Sequence, residues 1–245
     1  MKAEPGQQSK LLDLQALDTR LSQIAHARKT LPQLAEIADL EGKASLLDDQ
    51  LVRSRTELSD IQREVIKADG DVQQVRDRAT RDQQRLDSGT GSAKDLTAIQ
   101  HELESLARRQ SELEDVELEV MERAEAVQSD VSELERGRGE ITDRLTELEA
   151  ARDKRLAELD ADEAEVAAPR DGLVHAAGVE LVALYDKIRA TSGTGAAPLR
   201  QRRCGGCQLE LNPVALREIK SAPQDEVHRC EECRRILVRT AESGL

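Results

Sequence analysis

Between Ile37 and Leu148 the apolar residues recur in alternating steps of three and four. One run passes through Ile37, Leu40, Ala44, Leu47, Leu51, Ser54, Leu58, Ile61, Val65, Ala68, Val72, Val75, Ala79, Asp82 and Leu86. A second passes through Leu96, Ile99, Leu103, Leu106, Gln110, Leu113, Glu117, Val120, Ala124, Val127, Val131, Leu134, Arg138, Ile141, Leu145 and Leu148. The residues between them are mostly charged or amide-bearing, the signature of a heptad seam. Two seams joined by one short glycine-bearing connection predict an antiparallel coiled-coil hairpin over residues 9–168, turning near 88–93. Counting outward from Thr90 sets Leu14 opposite Val166 and Leu21 near Leu159, so the first helix (Leu14, Leu17, Leu21, Ile24) gains an apolar partner at the base of the return arm. Its register does not continue into the main seam. Pro32 lies at the change and predicts a break or kink there. Arms of roughly 75 residues would reach about 110 Å if fully helical. Gly42 and Gly137 lie almost equally far from Thr90, which predicts facing weak points; each interior glycine costs roughly 1 kcal/mol relative to alanine. A hinge and a simple loss of helix propensity are both open there.

The connection itself, LDSGTGSAKDL at residues 86–96, superficially resembles a phosphate-binding loop. A Walker-type loop needs its lysine directly after the second glycine and a hydroxyl residue next. Here two residues separate Gly91 from Lys94, Asp95 follows, and a polar helix rather than a buried strand precedes the loop. No nucleotide site is therefore expected at 86–96. As a turn the segment is coherent: Gly89 and Gly91 permit positive φ, and Ser92 can cap the return helix with Asp95 as its acidic partner.

Composition narrows the class. The 245 residues include no Trp, no Phe and one tyrosine, Tyr185, while 35% are charged. Few large aromatics and many charges suit either disorder or long helices burying a narrow stripe, and the sustained periodicity favours the helices. The net charge of −13 disfavours nonspecific attraction to nucleic acid or anionic membranes. No apolar run approaches the roughly 20 residues needed to span a bilayer, and MKAEPGQQSK lacks the apolar core of a secretory signal. No membrane association and a cytoplasmic location are expected.

After Val166 the pattern changes. Residues 169–191 read as a short connecting helix with Leu173, Val174, Leu181, Leu184, Tyr185 and Ile188 on its apolar side, and SGTGAAP then reads as a separator. RRCGGCQLEL and VHRCEECRRILVR follow, giving Cys204-x2-Cys207 and Cys230-x2-Cys233. Two residues between cysteines let both sulfurs of one tight turn face a single ion, and a second such turn completes a tetrahedral S4 site, usually occupied by zinc. QLEL and RILV read as strands leaving each knuckle, with NPVALREIKSA as a turn and helix between them. This predicts a C4 zinc ribbon over 196–241 holding one structural Zn2+. An iron–sulfur cluster is the alternative for four thiolates, and His228 is a substitute ligand. A thioredoxin-like pair would require a βαβ context. Four protein ligands leave no open coordination position, and no nucleophile–base pair or cofactor loop accompanies them, so no enzymatic activity is expected.

Residues 196–239 hold nine Arg or Lys against six Asp or Glu, a balance of +3, leaving −16 for the rest. A zinc tetrathiolate carries −2, which reduces that excess. Arg202, Arg203, Arg234 and Arg235 are the candidate contacts to a partner or to phosphates. No aromatic residue within the ribbon offers a base a stacking surface, which weakens single-strand recognition.

The arrangement resembles the bacterial C4-type zinc-ribbon, coiled-coil hairpin family, whose members include flagellar-regulation and sigma-54-associated proteins. The resemblance rests on LLDLQALDTRL, SGTGSAKDLTAIQHELESL, LVALYDKIR, CGGC and CEECRRILVR. It implies a kinked hairpin with a small zinc domain, zinc ligation by Cys204, Cys207, Cys230 and Cys233, and an adaptor, chaperone or regulatory role, for instance in transcription. Many relatives carry a proline before the tip lysine; this chain has Ala93 there. The Ala- and Arg-rich composition resembles that of high-GC bacteria, many of which lack sigma-54, so that partner does not transfer. Two function classes result: a non-catalytic protein-binding adaptor, with hydrophobic docking near Tyr185, and a nucleic-acid-binding regulator acting through the ribbon arginines; apolar flank residues such as Leu46 and Leu118 leave both a monomer and a homodimer open.

Overall fold

The computed structural model describes residues 1–245. Six helices and four strands follow one another: α1 (Pro5–Lys29), α2 (Pro32–Asp87), α3 (Ala93–Ala167), α4 (Arg170–Ala177), α5 (Val179–Ser192), β1 (Ala196–Arg200), β2 (Arg203–Cys204), α6 (Pro213–Ser221), β3 (His228–Arg229) and β4 (Ile236–Val238). They form two compact units. One is Ala35–Glu149; the other combines Met1–Leu34 with Ala150–Leu245.

The unit Ala35–Glu149 is an antiparallel helix pair. Every seam position from Ile37 to Leu86 and from Leu96 to Leu148 is buried or half-buried, the polar ones included. Leu51, Leu58 and Val131 form its tightest cluster, with Val127 and Leu134 against it. The flank residues Leu46 and Leu118 are 65% and 57% exposed. Cross-arm ion pairs report the register: Arg78 with Glu102 at 2.6 Å, Arg76 with Glu114 at 2.7 Å, Arg55 with Glu135 at 2.6 Å and Arg144 with Glu36 at 2.8 Å. Exposed pairs of this kind contribute little energy singly, yet together they show the arms running past one another without slippage. Gly137 packs beside Leu47, whereas nothing lies within 4 Å of where a Cβ on Gly42 would stand. The expected facing pair of glycines is therefore not formed, because Gly42 points away from the seam. Both helices run uninterrupted through these positions.

At the turn, Gly89 and Gly91 take φ of 61° and 141°. Ser92 and Asp95 form a reciprocal cap: the Ser92 hydroxyl accepts from the Asp95 N–H at 3.3 Å, and the Asp95 carboxylate accepts from the Ser92 N–H at 3.0 Å. The bond that the Ser92 hydroxyl donates to the carboxylate at 2.7 Å, and then the one from the Ser92 N–H, hold the Asp95 carboxyl below its ordinary range.

The second unit is built differently. A break at Thr30–Leu31 separates α1 from α2, with Pro32 as the first residue of the new helix, where its missing N–H costs nothing. Ile24 and Leu31 pack on Leu159, beside Leu156 and Val166. Leu14 does not meet Val166. It is fully buried with Leu11 against Ala177, Leu181, Val182, Tyr185 and Ile188, and Ala196, Ile236 and Val238 of the sheet share that core. Symmetrical counting failed here because α1 leaves the hairpin register at the break and packs on α4 and α5. The connecting segment is likewise two helices rather than one. Gly178 takes φ 90° between α4 and α5, a conformation that ends one helix and starts the next. The sheet order is β2-β1-β4-β3, with β1 and β4 parallel and both outer pairs antiparallel. AAP, read from its Ala/Pro content as a separator, begins the interior strand β1, and QLEL contributes only the single bridge of Glu210 to Arg203. Gly195, just before β1, has no room for a side chain, since a Cβ there would stand 2.4 Å from the Tyr185 ring.

Candidate metal centre and the core behind it

The two cysteine pairs share one backbone pattern despite different residues between the sulfurs. In the first, the Gln208 N–H donates to the Cys204 carbonyl at 2.7 Å and the Cys204 N–H to the Leu209 carbonyl at 3.0 Å. In the second, Arg234 donates to Cys230 at 2.9 Å and Cys230 to Arg235 at 2.9 Å. Gln208 and Arg234, each following the second cysteine of its pair, both take φ 62°. The first pair needs its glycines for a further reason: a Cβ on Gly205 would lie 2.9 Å from the Pro198 carbonyl oxygen, which accepts the Gly205 N–H.

This geometry brings all four Sγ atoms within 4.8 Å of one another. Cys204 and Cys233 lie 3.7 Å apart, and Cys207 and Cys230 lie 3.8 Å apart. A tetrahedral ion with Zn–S bonds of about 2.3 Å requires S···S edges of about 3.8 Å. Two of the six edges have this length and none exceeds 4.8 Å, so the thiol arrangement suits one zinc ion. The site rests on its own small core, in which Cys204 and Cys230 pack with Ala197, Leu199, Leu211, Ile219 and Leu237. Burial pushes the Cys204 thiol up to about 12 and raises Cys230. Burial also opposes ionisation of Cys233, but hydrogen bonds from the Arg235 N–H and the neighbouring thiols bring it down to about 7. A bound divalent ion displaces the protons of such thiols. His228 lies on β3 and outside the thiol group.

The arginines flanking the cysteines divide in two. Arg235 is half-buried and donates to the Ser192 and Thr194 carbonyls at 3.3 Å, closing the end of α5. Arg239 likewise donates to four carbonyls, those of Ile219, Ala222, Pro223 and Glu226. Arg202, Arg203 and Arg234 are exposed, and no carboxylate pairs with them.

One polar cluster escaped the sequence reading. Asp18 of α1 is 1% exposed and sits among three donors from the α4–α5 segment. Tyr185 donates to its Oδ2 at 2.9 Å, Arg170 to its Oδ1 at 3.0 Å, and Arg189 lies 3.1 Å from Oδ2. Burial and then the bond to Asp18 raise the Tyr185 hydroxyl far above its ordinary value, so it stays a donor. Tyr185 is 0% exposed. Tyr185 itself is thereby closed to docking: its ring fills the core and its hydroxyl serves Asp18. Gln15 and Gln8 complete the polar face of α1. The Gln15 side-chain Oε1 accepts the Gly195 N–H at 2.7 Å, and the Gln8 side-chain amide donates to the Ala3 and Gln224 carbonyls. A signal for this was present in LLDLQALDTRL, where Asp18 falls one turn after Leu14 on the buried side of an otherwise apolar stripe.

Comparison with known proteins agrees with this construction. Residues 14–193 match the CT398-like coiled coil hairpin domain, and residues 203–237, which contain all four cysteines, match the C4-type zinc ribbon domain. A protein of Mycobacterium tuberculosis (strain H37Rv) is 38% identical over 239 residues, covering 98% of each chain. A solved structure from Mycobacterium smegmatis superimposes with a TM-score of 0.84 at 41% identity, covering 98% of this chain and 100% of that one. CT398 from Chlamydia trachomatis gives 0.67 at 16% identity over 96% and 98% of the two chains, a likeness of fold. A long helical hairpin, a C-terminal ribbon and four converging thiols thus occur together in this chain, which belongs to the CT398-like coiled-coil hairpin family and carries a C4-type zinc ribbon whose cysteines suit one structural zinc ion.

Proposed function

We propose that the protein is a non-catalytic, cytoplasmic adaptor or regulator that binds a protein partner, in transcription or in macromolecular assembly. Cys204, Cys207, Cys230 and Cys233 hold a zinc ion that shapes the ribbon and does no chemistry. The observation that carries this reading is the placement of exposed aliphatic side chains among charges on helix and ribbon surfaces. Ile66 is 71% exposed and Leu118 57% exposed on the helix pair, while Leu209 and Val214 are each 52% exposed on the ribbon. Exposed apolar side chains mark a contact surface where they form a contiguous patch, whereas single ones are ordinary. Affinity capture of the full chain from its native cell, with and without nuclease, tests the proposal. A defined protein set that survives nuclease and is lost from an Ile66→Ser, Leu118→Ser, Leu209→Ser, Val214→Ser chain is expected. Recovery of nucleic acid alone would reverse it.

A second reading, a nucleic-acid-binding regulator, is supported by the unpaired and exposed Arg202, Arg203 and Arg234. Arg235 is held by carbonyls, so its replacement tests folding rather than binding. Affinity for DNA or RNA that falls steeply with salt and with neutralisation of the three exposed arginines is the expected sign of this reading.

A further inference from the structure

We propose that the groove beside α6 on the ribbon binds an acidic peptide segment carrying aliphatic side chains. The proposal deepens the protein-binding reading and rests on it. The groove, of about 660 Å³, is lined by the apolar Leu211, Pro213, Leu216 and Leu245 and by the cations Arg202, Arg217 and Lys220. Glu210 is the one acidic side chain on its lining. Arg202 and Lys220 have no ion-pair partner, and Arg217 donates only to the Pro213 carbonyl within its own helix. Three cations among aliphatic lining residues, with Leu209 and Val214 exposed nearby, complement carboxylates spaced by apolar residues.

A second feature concerns Arg202 itself. β1 and β2 are joined by the two-residue loop Gln201–Arg202, bounded by the pair Arg200–Arg203. Both loop residues take positive φ, 47° and 63°. Such hairpin loops favour Asn-Gly, because a Cβ is strained in that region. The loop is nevertheless clamped: the Arg202 N–H donates to the Ser243 carbonyl at 2.9 Å and its carbonyl accepts the Leu211 N–H at 2.9 Å. A long cationic side chain is thus kept, at a conformational cost, where it lines the groove. Aliphatic lining residues and a ribbon without aromatic residues favour a peptide over single-stranded nucleic acid.

The test uses the zinc-loaded full chain and fluorescence anisotropy. Three labelled probes are compared: a peptide of about twelve residues in Glu-Glu-Leu-Leu repeats, its Lys-Lys-Leu-Leu counterpart, and a single-stranded oligonucleotide of similar length. The Glu/Leu peptide is expected to bind and the Lys/Leu peptide not to. Lys220→Glu should weaken binding about tenfold, the scale of a reversed rim charge. Arg202→Gly relieves the turn, keeps the fold by circular dichroism, and should still weaken binding several-fold. Unchanged affinity in both variants overturns the proposal, as does an oligonucleotide that displaces the peptide. A native partner still captured by the Arg202→Gly, Lys220→Glu chain would remove the groove from the interaction and leave the adaptor reading standing.

Discussion

The helix pair Ala35–Glu149 and the unit around the zinc site spend their apolar residues in opposite ways. In the helix pair each buried residue meets partners a turn away and one helix across, at a height set by simple counting. In the zinc unit, Leu11 and Leu14 share a core with Tyr185, Ala196 and Ile236, which come from distant parts of the chain. The first construction repeats; the second converges. A repeating seam should confine damage to its neighbourhood, as in other quasi-linear structures, whereas a convergent core should transmit it. That difference can be measured.

Zinc removal is the strongest probe. Structural zinc supplies apparent free energies of about 10–16 kcal/mol in small C4- and C2H2-type domains. Chelation should unfold β2, α6 and both cysteine turns. Because β1 and β4 belong to the same core as α1 and α5, it should also speed amide exchange at residues 5–29 and 179–192. Residues 37–148 should keep their protection and most of the helical circular dichroism. Exchange confined to residues 196–241 would show that the zinc unit is less cooperative than its shared core implies.

The next probe acts without touching the metal. Asp18→Ala leaves Arg170, Arg189 and the Tyr185 hydroxyl facing an apolar gap. Breaking a buried charge cluster by removing one partner costs about 3–5 kcal/mol, so a comparable loss of the zinc unit's stability is expected by chemical denaturation. Asp18→Asn, which keeps an acceptor but not the charge, should lose less. Equal stability of the alanine variant and the wild type would mean the cluster only fills space.

The same contrast explains what could be read from the sequence. The seams were legible down to Ser54, Asp82 and Arg138, because a heptad repeat is a local code and polar residues at seam positions do not break it. The convergence of the four thiols was legible because a CxxC pair carries its own geometry. Leu14 was misplaced, since nothing local says that α1 abandons the hairpin register to pack on α5. β1 was hidden because Ala-Ala-Pro carries the composition of a loop; its strand character comes from pairing with Ile236–Val238. Tyr185 looked like a docking residue while its hydroxyl's partner lay 167 residues away. Arg235 looked like a contact for the same reason, its carbonyl partners being invisible in CEECRR.

The smallest effect lies at the far end of the repeating part, where locality should be most complete. Ser92→Ala removes the hydroxyl that accepts the Asp95 N–H, and loss of such a cap costs about 1 kcal/mol. Faster exchange is expected over residues 93–97, with no change at Leu58 or Val131. Acid should mimic the variant. The carboxyl of Asp95 is lowered in the folded chain by the Ser92 hydroxyl and N–H, so its contribution is present above the ordinary aspartate value and is lost as pH falls through the lowered one. In the Ser92→Ala chain that acid sensitivity should shrink, because the hydroxyl, the largest cause of the shift, is gone. If instead the zinc unit responded to Ser92→Ala, the arms would be transmitting strain along their length, and the division between a repeating part and a convergent part would fail at its most exposed point.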